Sequence, residues 1–146
     1  MKLFLTAAAT LLLTSGLALA GEKGMMHCFA FTVIPEATDS DWKAFAEATD
    51  KWPSQFKGIQ KIWQGKLRGP LAQFTITAEA RKKLAAGEKD VETKANRLMR
   101  QHGVCMLMNG PETLKEYTAA PFHKEWMAIY EKVRVAGTTT YDILAQ

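Results

Sequence analysis

Three histidines and one tyrosine are the residues of this chain best suited to acid–base chemistry. His123 lies in the segment YTAAPFHKEW, two residues after Pro121 and six residues after Tyr117. The other two histidines, His27 and His102, lie in apolar segments. Imidazole exchanges protons near neutral pH, and a phenol can donate a hydrogen bond to an oxygen that gains charge. These residue types are suited to removing a proton next to a carbonyl group.

The segment around His123 is predicted to be the start of a helix. Proline is tolerated in the first turn, so Pro121 begins a new helix after the one that carries Tyr117. The amide groups at a helix start disfavour the imidazolium form. We therefore expect His123 to be a neutral general base and Tyr117 to be a hydrogen-bond donor one turn before it.

Two predicted strands carry the other histidines. Residues 26–34 (MHCFAFTVI) and 102–109 (HGVCMLMN) are short, apolar runs of the kind found in buried strands. If the strands are neighbours and helices cover that face, His27 and His102 are expected to lie near each other at one end of an apolar chamber. The apolar side chains that share their faces, and that we expect to contact a ligand, are Phe29, Phe31, Val104 and Met106.

The remaining elements complete an α+β domain. A capping-box start at Thr38 and Asp41 predicts a helix after the first strand. Residues 59–66 and 137–144 are predicted strands, so the order is β-α-β-β-α-β, which is typical of a ferredoxin-like sheet with helices on one face. Apolar residues point to both faces of the first and third strands. A homodimer that pairs two sheets face to face, a dimeric α/β barrel, is therefore expected.

Residues 67–101 differ in character from the rest of the chain. They hold eight basic and four acidic residues, and they include a Gly-Pro pair near their start. The composition favours a solvated pair of helices that covers a sheet edge. The alternatives are a mobile lid and a patch that faces an anion.

The first twenty residues are predicted to be a secretory signal peptide. One lysine, an apolar run and the ending Ala-Leu-Ala follow the usual pattern, with cleavage after Ala20. The domain then comprises residues 21–146, in the periplasm or secreted. We expect no stable membrane anchor after cleavage, because the junction has no cysteine for a lipid. The formal net charge of +4 is too small to indicate nucleic-acid binding.

Two cysteines, Cys28 and Cys105, lie on the strand faces opposite to the histidines. If His27 pairs with His102, the two cysteines are staggered by about two residues. Diagonal neighbours lie roughly 7 Å apart, at the upper limit for a disulfide. Two buried thiols are therefore expected.

Several motifs resemble the stress-responsive A/B barrel, or dabb, domain family. They are the run Tyr117-x-x-x-Pro121-x-His123, the opening MHCFAF, the segment IWQGK and the closing TYDI, and the resemblance covers residues 25–66 and 102–145. It implies a dimeric α/β barrel. The family includes olivetolic acid cyclase, which closes a polyketide ring without a cofactor.

The resemblance also implies roles for individual residues. Tyr117 and His123 match the catalytic tyrosine and general base of the cyclase, and His27 and His102 match histidines of its pocket. Three positions depart from the pattern. Ala120 replaces a common histidine, and Ala46 and Thr49 stand where the cyclase has aromatic pocket walls, so a pocket of different shape is expected.

Two functions from different classes follow. The first is an exported protein that binds a small, partly apolar or carbonyl-containing molecule, in the form of a cofactor-free lyase or cyclase with His123 as general base. The alternative is a non-catalytic dimeric stress or envelope protein.

A metal site built from three imidazoles and nearby methionines is a rival, but no histidine pair has the spacing of H-x-x-x-H, so no metal is expected. The methionines concerned are Met26, Met106 and Met108.

Overall fold

The computed structural model describes residues 24–145. The elements are β1 (Met25–Val33), α1 (Asp39–Asp50), α2 (Trp52–Gln55), β2 (Ile59–Ile76), α3 (Ala78–Ala85), β3 (Ala95–Met108), α4 (Pro111–Ala119), α5 (Pro121–Tyr130) and β4 (Arg134–Leu144). The predicted signal peptide, residues 1–20, lies outside the described residues. Within residues 24–145, every helix is too short or too polar to cross a membrane.

The four strands form one antiparallel sheet in the order β2-β3-β1-β4. The predicted ferredoxin-like α+β fold is confirmed, with β1 and β3 as central neighbours. Strand alternation puts Phe29 and Phe31 on the face that the helices cover. There they meet the aromatic side chains of Phe45, Trp126 and Tyr130. This aromatic layer is the core that holds the helices on one face of the sheet.

The first helix begins as its sequence predicts. Thr38 is the N-cap, and its side chain and that of Asp41 form the reciprocal bonds of a capping box. The helix ends at Asp50, and Pro53 lies in the first turn of the short helix α2. Gly110 occupies the N-cap position of α4, and Pro111 begins the helix.

The predicted helix pair in residues 67–101 is wrong. Strand β2 continues to Ile76 and β3 already begins at Ala95, so both ends of this segment extend the β2–β3 hairpin. Only one helix, α3, lies near the tip. The pairing register shifts between Lys66 and Leu71, and regular pairing then resumes through residues 71–76. The extra residues that contain the Gly-Pro pair are accommodated in this irregularity, so they do not end the strand.

The expectation of two free thiols is also wrong. Cys28 lies directly opposite Cys105, with Cα atoms 4.2 Å apart, and the two form a disulfide. The assumed stagger fails because β1 and β3 run in opposite directions, and the actual register pairs His27 with Met106 and Phe31 with His102. The disulfide lies on the face of the sheet that the helices leave uncovered, which we call the open face.

Candidate functional site

A cavity of about 330 Å³ lies between the β1–β4 side of the sheet and helices α4 and α5. We call it the α4–α5 cavity. Phe29 and Trp126 provide apolar walls, and Thr138 and Thr140 of β4 provide two hydroxyl groups. Its other polar lining residues are His27, Tyr117, Thr118, His123, Tyr130 and Arg134. The cavity is therefore mostly apolar with a few polar groups, as is usual for small-molecule sites.

The junction of α4 and α5 brings Tyr117 and His123 together. Ala120 has an extended conformation (φ −64°, ψ 134°), which ends α4, and Pro121 begins α5. The change of direction places the two rings with their centroids 4.7 Å apart. Both side chains line the α4–α5 cavity.

Burial sets the protonation states of these two groups. Desolvation lowers the pKa of His123, because the charged imidazolium loses hydration. Desolvation also raises the pKa of Tyr117, because the phenolate is the form that loses hydration. At neutral pH the pair consists of a neutral imidazole that can accept a proton and a phenol that can donate a hydrogen bond.

The third polar group in the cavity, His27, is held by a carboxylate that the sequence reasoning missed. Asp142 lies opposite His27 in the β1–β4 register, and its Oδ1 is 2.6 Å from the imidazole Nδ1. An ionised carboxylate only accepts hydrogen bonds, so Nδ1–H is the donor. In the neutral form of the ring, the other nitrogen, Nε2, carries the lone pair. Strand alternation in TYDI, read together with the β1–β4 register, is the signal that could have identified Asp142.

His102 does not belong to this site, so the expected proximity of His27 and His102 is wrong. His102 lies opposite Phe31, four residues along β1 from His27, or about 13 Å at the usual rise of a strand. It packs on Trp42 with ring centroids 4.9 Å apart, and its Nε2 is 3.3 Å from Oε1 of Gln64. It lines a separate opening on this face.

The apolar residues that we expected to contact a ligand divide into two groups. Phe29 lines the α4–α5 cavity together with His27. Phe31, Val104 and Met106 are completely buried core residues and do not line that cavity. Their side chains share a face with the histidines, as alternation predicts, but the packed helices fill the space above them.

Two further residues of the cavity were missed. Tyr130 follows Trp126 by four residues on the buried stripe of α5, and Arg134 begins β4. Neither Tyr130 Oη nor Arg134 Nε has a hydrogen-bond partner within residues 24–145, although both atoms are buried. The helical spacing from Trp126 could have indicated Tyr130, whereas the direction of Arg134 depends on the helix-to-strand turn.

Two other expectations concern the cavity wall and metals. Thr49 is buried away from the cavity and accepts a hydrogen bond of 2.9 Å from the indole N–H of Trp126. Where the cyclase has an aromatic side chain, Thr49 therefore holds the indole of Trp126 through a hydrogen bond. In the described part of the chain, no cluster of three or more histidine, cysteine, aspartate or glutamate side chains could hold a metal ion.

Solved structures with this fold include proteins described as dimeric and a dabb protein. A dimeric protein of unknown function with a ferredoxin-like fold from Bacteroides fragilis is 15% identical, with a TM-score of 0.54, over 83% of this chain and 95% of that chain. A dabb family protein from Mesorhizobium loti is 12% identical, with a TM-score of 0.54, over 85% of this chain and 98% of the other. The ferredoxin-like fold of the dabb family protein is thus also the fold of this chain.

An enzyme also shares the fold. The hydroxynitrile lyase of Passiflora edulis is 6% identical, with a TM-score of 0.57, over 86% of this chain and 95% of the lyase chain. At identities this low the likeness is one of fold alone. No protein-family model and no curated protein sequence matches the chain.

Proposed function

We propose that the α4–α5 cavity binds a small, partly apolar carbonyl compound and that the protein is a cofactor-free enzyme of the lyase or cyclase type. The observation that carries this proposal is the pairing of Tyr117 and His123, 4.7 Å apart, on the wall of one apolar cavity. A lyase with the same fold indicates that this scaffold can support such chemistry.

The proposed reaction begins with proton abstraction. The neutral imidazole of His123 accepts a proton from the carbon next to the carbonyl group. Tyr117 donates a hydrogen bond to the carbonyl oxygen, which gains charge as the carbon–hydrogen bond breaks. The resulting enolate can then form or break a carbon–carbon bond. His27, oriented by Asp142, is positioned to hold a second oxygen of the substrate or to exchange a proton with it.

Proton abstraction can be measured without knowing the natural substrate. In D₂O, the protein should accelerate exchange of the α-hydrogens of 1-phenylpropan-2-one, observed by proton NMR. A positioned general base contributes a factor of about 10² to 10⁴, so His123→Ala should lose most of this acceleration. Tyr117→Phe should lose a large part of it, because the oxyanion loses its donor.

His102→Ala is the matched control, because it also removes an imidazole from the same sheet face but outside the cavity. With this variant, the α-hydrogens of the ketone should exchange at the wild-type rate. If they exchange as fast with His123→Ala as with the wild type, His123 is not the base. If the wild type shows no acceleration at all, the result favours the alternative of a non-catalytic stress or envelope protein.

We also propose that the chain is exported and acts as a homodimer. A disulfide between Cys28 and Cys105 supports an oxidising compartment, where such bonds persist. A neighbour described as dimeric supports a homodimer, and the open face of the sheet is the surface that we propose for it. N-terminal sequencing of the protein recovered from outside the cytoplasm should begin at Gly21; recovery only from the cytoplasm with Met1 retained would contradict export.

A further inference from the structure

Two buried hydrogen-bond donors on the wall of the α4–α5 cavity lack acceptors within the described residues 24–145. They are the hydroxyl group of Tyr130 and the Nε–H of Arg134. Tyr130 is 3% exposed, and the side chain of Arg134 is 13% exposed. Leaving a buried polar group without a partner costs about 1–3 kcal/mol, and more when the group is charged. A ligand that accepts hydrogen bonds from both groups would recover that cost.

Packing fixes both donors in place. The ring of Tyr130 stacks on Trp126 with centroids 4.7 Å apart. It also packs edge to face with the ring of Phe31, with centroids 4.9 Å apart. The guanidinium carbon of Arg134 lies 4.6 Å from the centroid of the Tyr130 ring. This cation–π contact orients the guanidinium plane and holds it beside the phenol. The two donors are therefore held in fixed positions beside the cavity.

The electrostatic character of this part of the cavity is positive. Glu131 is the carboxylate nearest to Arg134, but its Oε1 lies 3.6 Å from Nη2, beyond hydrogen-bond distance, and its side chain is 62% exposed. Exposed pairs of this kind contribute little. The carboxylate of Asp142 is already engaged by His27. Arg134 is thus incompletely neutralised at the cavity wall.

We propose that the ligand of the α4–α5 cavity is a small aromatic or aliphatic carboxylate whose oxygens accept hydrogen bonds from Arg134 Nε and Tyr130 Oη. Guanidinium and phenol donors are well matched to a carboxylate, and such charge-assisted bonds are the strong ones in proteins. The apolar body of the ligand packs on Phe29 and Trp126. This inference deepens the proposed function, because it makes the carbonyl substrate an acid with its reacting carbon toward Tyr117 and His123.

The test compares two probes of the same shape, benzoate and benzamide, by isothermal titration at neutral pH. Charge-assisted hydrogen bonds predict that the wild-type protein binds benzoate at least about tenfold more tightly than benzamide. Arg134→Gln should abolish this preference. Tyr130→Phe should reduce it, because one neutral donor is lost while the cation remains.

Glu131→Gln provides a control that acts in the opposite direction. It removes the only carboxylate beside Arg134 in the described part of the chain while leaving both donors in place, so benzoate should bind more tightly than in the wild type. If Arg134→Gln fails to fold, Arg134→Lys keeps a cation but removes the planar fork, and it should bind benzoate more weakly than the wild type.

Equal wild-type affinities for the two probes, including no measurable binding of either, overturn this inference. An unchanged benzoate preference in folded Arg134→Gln does the same. The outcome is separate from that of the proposed function, because benzoate has no hydrogen on the carbon next to its carboxyl group, so its binding does not depend on proton abstraction. α-Hydrogen exchange without a carboxylate preference removes only this inference, and a carboxylate preference without exchange removes only the catalytic proposal.

Discussion

At the scale of single residues, the site depends on groups whose charge is set by burial. His123 was identified from its position after Pro121, and its predicted neutral state agrees with the lowering of its pKa by desolvation. The sequence reasoning attributed that neutrality to the helix start. Loss of hydration in the cavity wall provides a cause that only the tertiary structure supplies.

The lowered histidine pKa values predict how stability depends on pH. In His102 and His123, burial lowers the pKa below its ordinary value of about 6.5, so the unfolded chain binds protons more readily than the native protein. The free energy of unfolding should therefore fall as the pH decreases below about 7. Thermal unfolding midpoints between about pH 7.5 and about pH 5.5 measure this dependence.

The double variant His102→Gln with His123→Gln is the comparison for that experiment. Glutamine does not titrate. The thermal unfolding midpoint of the double variant should therefore change less over the same pH interval than that of the wild type. An equal change in both proteins would show that other groups cause the pH dependence.

At the scale of secondary-structure elements, the alternation of side chains along a strand predicted which face each one occupies. It did not predict how neighbouring strands align. The pattern of residues 26–34 and 102–109 correctly assigned each side chain to a face of its strand. It could not give the offset between β1 and β3, because alternation is unchanged when one strand slides by two residues. The paired neighbours of His27 and Cys28 were therefore misassigned together.

The length of β2 and β3 was missed for a related reason. The β-forming run QFTIT was visible in the sequence, but the Gly-Pro pair before it suggested a turn. A register irregularity between Lys66 and Leu71 absorbs these residues, so the strands continue as a hairpin. The charged residues at positions 79–94 belong to α3 and the adjoining loop, whereas Arg97 and Arg100 lie in β3.

The disulfide gives a prediction at this scale. Cys28 and Cys105 are separated by 77 residues in sequence, so the bond restricts a large loop in the unfolded chain. Breaking it by Cys28→Ala with Cys105→Ala should lower the free energy of unfolding by about 2–4 kcal/mol. Urea titrations of the two proteins provide the measurement. Identical urea midpoints, or a wild-type mass that does not rise by two hydrogens on reduction, would contradict the assignment.

At the scale of the whole molecule, the two faces of the sheet differ in what covers them. The helices pack on one face. On the open face, Trp63 is 45% exposed and Tyr141 is 48% exposed, and they lie opposite Cys105 and Cys28 in the sheet. Apolar side chains grouped in this way are typical of a protein interface. This is the surface through which we propose the homodimer forms.

The oligomeric state tests that surface. Tyr141→Glu places a charge in the centre of the proposed interface, where it would be desolvated, and should convert the dimer to a monomer. Sedimentation velocity reports the change. Phe74→Glu is the matched control, because Phe74 is exposed but follows Gln73, which bonds Thr139 on the open face, so alternation turns Phe74 away.

If Tyr141→Glu dimerises over the same concentrations as the wild type, the open face is excluded as the interface. A wild-type protein that sediments as a monomer would contradict the homodimer itself. A monomeric Phe74→Glu would instead direct attention to the extended hairpin.

The bond between Cys28 and Cys105 also acts as a covalent clamp on strand alignment. His27 is the residue next to Cys28, and its Asp142 partner belongs to β4, which pairs with the same strand. Without the clamp, a slip of β1 by two residues would preserve the apolar pattern of both faces while carrying the imidazole about 7 Å along the sheet. The disulfide forbids that alternative fold, so one bond on the open face secures the position of His27 on the other.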